Sequence, residues 1–288
     1  MTIGIIGLGI MGGAYGRNLM AAGEAVIGVD PNPTARDRFT AAGGRAEATL
    51  GPWIAECEMV ILSLISPAVL AEVSQNLAGF LQPGQIVLET GTFAMPDKLA
   101  AKANIEAGGG VLLDCPVSGT GAQAAVGDLV MMASGPSEAV AKVKPILVKF
   151  TRSVIEAGEF GAGIKLKYVA NHAVALHNAA AAEVLHYADA LELDRDIVYT
   201  LLKSGAGQSR MLDLRMPLMI SGDYDPPTAS LKMFEKDLSV IGADIARLGV
   251  DAPMLDVVTK LYQTASEMLP ETYDTAAVFE VYREGKAR

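Results

Sequence analysis

A lysine and a carboxamide, Lys167 and Asn171, stand four residues apart at the end of the stretch Gly158-Glu-Phe-Gly161-Ala-Gly163-Ile-Lys-Leu-Lys167-Tyr-Val-Ala-Asn171. If a helix begins near Gly163, the two side chains lie one above the other on one face. A positioned lysine exchanges a proton with a substrate oxygen, and a neighbouring asparagine fixes the geometry by hydrogen bonding. The same spacing is common on solvated helix surfaces, so the pair takes its meaning from what else the chain carries.

Near the start, Gly7-Leu8-Gly9-Ile10-Met11-Gly12 follows one apolar run and opens a helical pattern. In that context Gly7 allows a tight turn, Gly9 lets the backbone approach a pyrophosphate, and Gly12 permits close packing of helix on strand. The N–H groups at the helix start face the phosphates. Asp30 ends the next apolar run, where a carboxylate accepts hydrogen bonds from the adenosine ribose and repels a 2′-phosphate. NAD is therefore the expected cofactor, with NADP as the alternative because Arg36 lies close by. The competing reading of the glycines alone is a nucleotide-free or FAD-binding fold of the same type.

The elements that must position these groups follow from hydrophobic patterning. Apolar runs at 2–7, 25–29, 59–64, 86–88, 110–113 and 129–133 predict strands, and 67–80, 96–107 and 137–149 predict the helices that join them. Alternating strands and helices make a parallel sheet, and near-continuous apolar strands imply that both of its faces are covered. After residue 160 the period becomes helical throughout, from a long Ala-rich stretch at 164–191 through 197–203, 209–219, 229–248, 253–268 and 275–283. The expected fold class is α/β, a Rossmann dinucleotide-binding domain over 1–160 followed by an all-α domain over 161–288 concerned with substrate and oligomerisation.

Composition narrows the partners. The 288 residues carry 51% hydrophobic and 19% charged side chains, a globular balance, with a net charge of -10. That charge argues against nucleic acid and anionic membrane, both of which it would repel. No apolar run approaches a membrane span and no basic leader precedes the first strand, so a cytoplasmic protein is expected. Cys57 and Cys115 lie in no CxxC pair and read as free thiols. His172, His177 and His186 have spacings that do not form a zinc helix, and no metal site is expected.

Three segments, Asp114-Cys-Pro-Val-Ser118-Gly119-Thr120, the Gly158–Asn171 stretch and Lys236-Asp237-Leu238, occur in this order behind the glycine loop. Taken together, they resemble the β-hydroxyacid dehydrogenase family over essentially the whole chain, and the length resembles the 3-hydroxyisobutyrate dehydrogenase branch. The resemblance implies that Lys167 is the general acid/base and that Asn171 positions the lysine or the substrate. It implies that Ser118, Gly119 and the next backbone N–H bind the substrate carboxylate, although Thr120 stands where the family has a second glycine. It implies that Lys236 approaches the nicotinamide end of the cofactor and that Thr92 lies near it, within Glu-Thr-Gly-Thr rather than the usual acid-x-Ser-Thr. Ile65 and Ser66 match only the position of a cofactor-lining loop.

The expected activity is hydride transfer between NAD(P) and a small β-hydroxy acid, such as 3-hydroxyisobutyrate, or its semialdehyde. Within the enzyme class the alternatives are an NADPH-dependent glyoxylate or succinic semialdehyde reductase, and an imine reductase, against which Lys167 counts. A nucleotide-sensing module on the same scaffold is the non-enzyme alternative, and it has no need of Lys167, Asn171 and Ser118 together. A small carboxylate is the expected substrate; the Ala-rich helix suits close packing in the core or against a second subunit, and the resemblance implies a homodimer or homotetramer.

Overall fold

A computed structural model describes residues 1–287 and divides the chain into two compact units, Met1–Lys167 and the remainder from Tyr168. The first unit is a doubly covered sheet. Its strands and helices are β1 (Thr2–Ile6), α1 (Ile10–Ala21), β2 (Ala25–Val29), α2 (Pro33–Ala41), β3 (Arg45–Glu47), β4 (Met59–Leu62), α3 (Pro67–Leu77), β5 (Ile86–Glu89), α4 (Met95–Ala107), β6 (Val111–Asp114), β7 (Val117–Ser118), α5 (Gly121–Ala125), β8 (Val130–Ser134), α6 (Ser137–Leu147) and β9 (Ser153–Gly158). Strand order is β3-β2-β1-β4-β5-β6-β8-β7, with β9 paired to β8. From β3 to β6 every pairing is parallel, and the order reverses between β1 and β4, where dinucleotides bind in folds of this kind.

Successive residues of the central strands feed two separate cores, because side chains alternate across the sheet. Ile3, Ile5, Met59, Ile61, Ile86 and Leu88 pack on one face, whereas Ile6, Val60, Leu62 and Val87 pack on the other. Each such side chain, fully buried, contributes roughly 1.5–3 kcal/mol, which is why these strands need no polar alternation.

Three strands absent from the sequence reading, β3, β7 and β9, have a common cause. β3 and β9 lie at edges and bury little, and β7 is two residues long, so none carries the apolar run that marks a central strand.

Helix α7 (Ala162–Ala190) begins in the first unit and continues into the second. The second unit contains no strand among its described residues. Its further helices are α8 (Arg195–Ser204), α9 (Arg210–Ser221), α10 (Leu231–Leu248), α11 (Pro253–Met268) and α12 (Phe279–Arg283), the last preceded by a 3-10 turn at Thr275–Val278. Side chains of Asp194, Ser209 and Ser230 accept N–H groups at the starts of α8, α9 and α10. Gly222 and Gly249 end α9 and α10 in the left-handed conformation that glycine adopts without strain. Among the described residues no helix is long and apolar enough to cross a membrane.

Candidate active site

One row of residues across the sheet organises the first unit's chemistry. Ile6 is in register with Val29 and with Leu62, Leu62 with Glu89, and Glu89 with Asp114. These are the carboxyl ends of five parallel strands, so the segments after them emerge along one edge. They are the glycine loop from Gly7, Asp30, the loop with Ile65 and Ser66, the loop with Thr92, and the segment leading to Ser118, Gly119 and Thr120.

The glycine loop is shaped to admit a phosphate chain. Gly7 has φ +94°, and a Cβ there would lie 2.2 Å from the Ser63 carbonyl oxygen. A Cβ on Gly12 would lie 1.9 Å from the Gly7 carbonyl oxygen, which locks helix α1 against the turn. Gly9 is different, since a Cβ there meets nothing within 4 Å, and the backbone of Gly9, Ile10 and Met11 opens α1 towards free space. A cavity of about 220 Å³ lies beside it, lined in part by Leu8, Gly9, Ile10 and Gly13. Asp30 fixes the loop from the next strand: its Oδ2 accepts the Leu8 N–H at 2.8 Å and its Oδ1 the Asn32 N–H at 2.8 Å. Arg36 Nη1 donates to the Asp30 and Pro31 carbonyl oxygens, at 2.8 and 2.9 Å. These features fit a dinucleotide, with open backbone for the pyrophosphate and a carboxylate for the ribose.

The Ser118–Thr120 segment is brought against this loop. Gly121, next in the chain, sits so close that a Cβ would lie 2.5 Å from Ile10 Cγ2, and Asn18 Nδ2 on α1 donates to the Ala124 carbonyl oxygen at 2.8 Å. Ser118 is half-buried, and Gly119 has φ +142° with Leu129 Cδ2 2.4 Å from where a Cβ would stand, so any side chain there would be strained and would displace Leu129. Thr120 caps α5: its Oγ1 accepts the Gln123 N–H at 3.4 Å, while its own N–H donates to Gln123 Oε1 at 3.0 Å. Its N–H is thus used within the loop, whereas its hydroxyl accepts there and keeps its own proton to donate, beside Ser118 Oγ and the Gly119 N–H. Cys115 is fully buried, and burial pushes its thiol far up, which keeps it protonated and unreactive.

Lys167 rides on the first turns of α7, and that start is held from the sheet. Asp114 Oδ2 accepts the Ile164 N–H at 2.8 Å, and Ser134 Oγ accepts the Gly163 N–H at 3.0 Å. Gly163 allows this approach, because a Cβ would meet the Met132 carbonyl oxygen at 2.5 Å. Lys167 itself is half-buried. Of the remaining first-unit residues, Thr92 is half-buried after β5, Ser66 caps α3 by accepting the Val69 N–H at 3.3 Å, and Ile65 is 84% exposed on the loop before it.

Asn171 and Lys236 belong to the second unit, where one side chain links them. Asn171 is buried and its Nδ2 donates to Asp237 Oδ2 at 2.8 Å, while Lys236 Nζ lies 3.0 Å from Asp237 Oδ1. Asp237 carried no role in the sequence reading, because nothing in a sequence joins residues sixty-six positions apart. Among the described residues no group of His, Cys, Asp and Glu is placed to hold a metal ion.

Known proteins are similar to this chain over nearly its whole length. Residues 2–158 match the family model for the NAD-binding domain of 6-phosphogluconate dehydrogenase, and residues 161–282 match the one described as NAD-binding of NADP-dependent 3-hydroxyisobutyrate dehydrogenase. An L-threonate dehydrogenase of Cupriavidus necator is 31% identical over 98% of this chain and 96% of its own length. Two solved structures are similar throughout. The 3-hydroxyisobutyrate dehydrogenase of Salmonella typhimurium is 28% identical with a TM-score of 0.88, and that of Mycobacterium tuberculosis, solved with L-serine, is 26% identical with a TM-score of 0.90. Each comparison covers 98% of this chain and 99% of the other. The chain belongs to the β-hydroxyacid dehydrogenase family, in its 3-hydroxyisobutyrate dehydrogenase-like branch, and is an NAD(P)-dependent hydroxyacid dehydrogenase.

Proposed function

We propose that the protein oxidises a small hydroxy acid, or reduces the matching carbonyl acid, with NAD as its preferred cofactor and Lys167 as the proton-transfer group. The observation that carries this reading is the row of strand ends, which sets the glycine loop, Thr92 and Ser118 along one edge and ends in Asp114, the residue that seats the Lys167 helix. A bound nicotinamide supplies the hydride acceptor or donor. The backbone at Gly9, Ile10 and Met11 holds the pyrophosphate, and Asp30 accepts the ribose hydroxyls and disfavours a 2′-phosphate. Ser118 Oγ and the Gly119 N–H hold the substrate carboxylate without burying a further full charge. Lys167 takes the hydroxyl proton as the alcohol carbon becomes a carbonyl, and returns it in the reverse direction. Asn171 and Lys236, joined through Asp237, supply a hydrogen-bonding and a cationic group for orientation.

The class of substrate in this proposal is a small hydroxy acid. Relatives named L-threonate dehydrogenase and solved 3-hydroxyisobutyrate dehydrogenases make L-threonate and 3-hydroxyisobutyrate the first acids to try. Initial rates over a panel of small hydroxy acids and semialdehydes, with each cofactor, test it. Turnover of at least one carboxylate-bearing alcohol, lost when the carboxylate is esterified, is the expected result. A panel in which no hydroxy acid or semialdehyde is turned over would defeat the proposal.

A further inference from the structure

Three charged side chains, Glu89, Lys98 and Asp114, are fully buried together in the first unit. Lys98 Nζ, on α4, bonds Glu89 Oε2 and lies 2.7 Å from Asp114 Oδ1. The second oxygen of each carboxylate is directed elsewhere. Glu89 Oε1 accepts the Gly91 N–H at 2.6 Å, in the loop that carries Thr92. Asp114 Oδ2 accepts the Ile164 N–H at 2.8 Å, in the helix turn that carries Lys167, and also meets Ser134 Oγ at 3.0 Å.

Stability does not account for such a cluster, because apolar residues of similar volume commonly replace buried ion pairs at no loss. Both outward bonds go to N–H groups outside any sheet ladder. The Gly91 N–H is in a loop, and the Ile164 N–H is one of the first-turn donors that a helix cannot satisfy itself. A carboxylate at that end also complements the helix dipole. The fit is close at both contacts: a Cβ on Gly91 would lie 2.7 Å from Glu89 Oε1, and one on Gly163 would lie 2.8 Å from the Asp114 carbonyl oxygen. Burial alone would pull the Lys98 ammonium down, but Glu89 and Asp114 beside it outweigh that and push it up, while burial pushes the Glu89 carboxyl up against the pull of Lys98.

We propose that the Glu89–Lys98–Asp114 cluster is the positioning device of the reaction. Its carboxylates hold the Thr92 loop and the Lys167 turn through backbone N–H groups, and Lys98 ties the two into one unit. This rests on Lys167 being the proton-transfer group. All three side chains are fully buried, so the effect of the cluster is expected on the rate of the chemical step more than on binding.

The test compares Asp114→Asn, Ser134→Ala and Lys167→Ala with the wild-type enzyme, measuring Tm, NADH affinity, kcat, KM and the solvent isotope effect on kcat. Asp114→Asn weakens the seat of the helix turn and should lower kcat on the order of 10²-fold, since misplacement of about 1 Å costs that much. NADH affinity should be unchanged and the solvent isotope effect larger, because proton transfer becomes limiting. Ser134→Ala removes the acceptor of the Gly163 N–H and the hydroxyl that donates to Asp114 but leaves the Asp114–Ile164 bond, so it should move the same quantities less, and it carries the test if Asp114→Asn does not fold. A cluster that merely stabilises the core would lower Tm while leaving kcat and the isotope effect at wild-type values; that result, with Lys167→Ala inactive, overturns the proposal alone. Turnover surviving in Lys167→Ala would instead overturn the reading of the lysine, and the positioning role with it.

Discussion

Asp30 shows how much of the cofactor preference rests on one side chain. Each of its carboxylate oxygens already accepts a backbone N–H, and each keeps acceptor capacity for a ribose hydroxyl. A 2′-phosphate would meet that charge directly, and Arg36 Nη1 is engaged with two carbonyl oxygens. The kcat/KM with NADH should therefore exceed that with NADPH by about tenfold or more, equivalent to about 1.4 kcal/mol, and Asp30→Ala should narrow the gap. A clear NADPH preference in the wild-type enzyme would contradict this assignment. Residue types and order made the glycine loop and Asp30 legible in the sequence, because their chemistry is local. Thr120 was legible as a departure from the family pattern, but its engagement was not, although Thr120 and Gln123 stand at the spacing of a capping box. The helix they cap has five residues, too few to show a period.

Helix α7 owes its seat to Gly163 as much as to the carboxylate that holds it. Gly163→Ala would drive a Cβ into the Met132 carbonyl oxygen, 2.5 Å away, and force the helix start off the sheet. The expected cost is about 1–3 kcal/mol of stability by chemical denaturation, with a fall in kcat beyond any loss of folded protein. Stability and kcat both at wild-type values would show that the close approach is unimportant. At this scale the central strands and nearly all the helices could be read from the sequence, since burying one face or two leaves a period. Edge strands β3 and β9 leave none, since β9 is exposed at most positions and β3 is three residues long with none of them buried. The links that seat the chemistry were also invisible: Asp114 reaches Ile164 fifty positions on, and Asn171 reaches Asp237 sixty-six on, and no local pattern encodes either.

As a whole, the molecule carries a net charge of -10 and an Ala-rich helix with apolar residues on more than one face. Ala175, Ala182 and Leu185 of α7 are buried, whereas Val169, Val184, Tyr187 and Leu191, on or just beyond the same helix, are between 42% and 69% exposed. A helix that is apolar beyond its buried stripe is suited to a second copy of the chain, so sedimentation should return a dimer or tetramer, and Val184→Glu should weaken it. A wild-type protein that stays monomeric at all concentrations would exclude this. In the proposed reaction a hydride carrier bound at the glycine loop works with a proton carried by Lys167. Its most direct test is the steady-state turnover of Lys167→Ala at saturating cofactor, on the best acid of the panel. The expected result is a fall of about 10²- to 10⁴-fold in kcat with cofactor affinity retained, and turnover equal to wild type would rule out this role for the lysine.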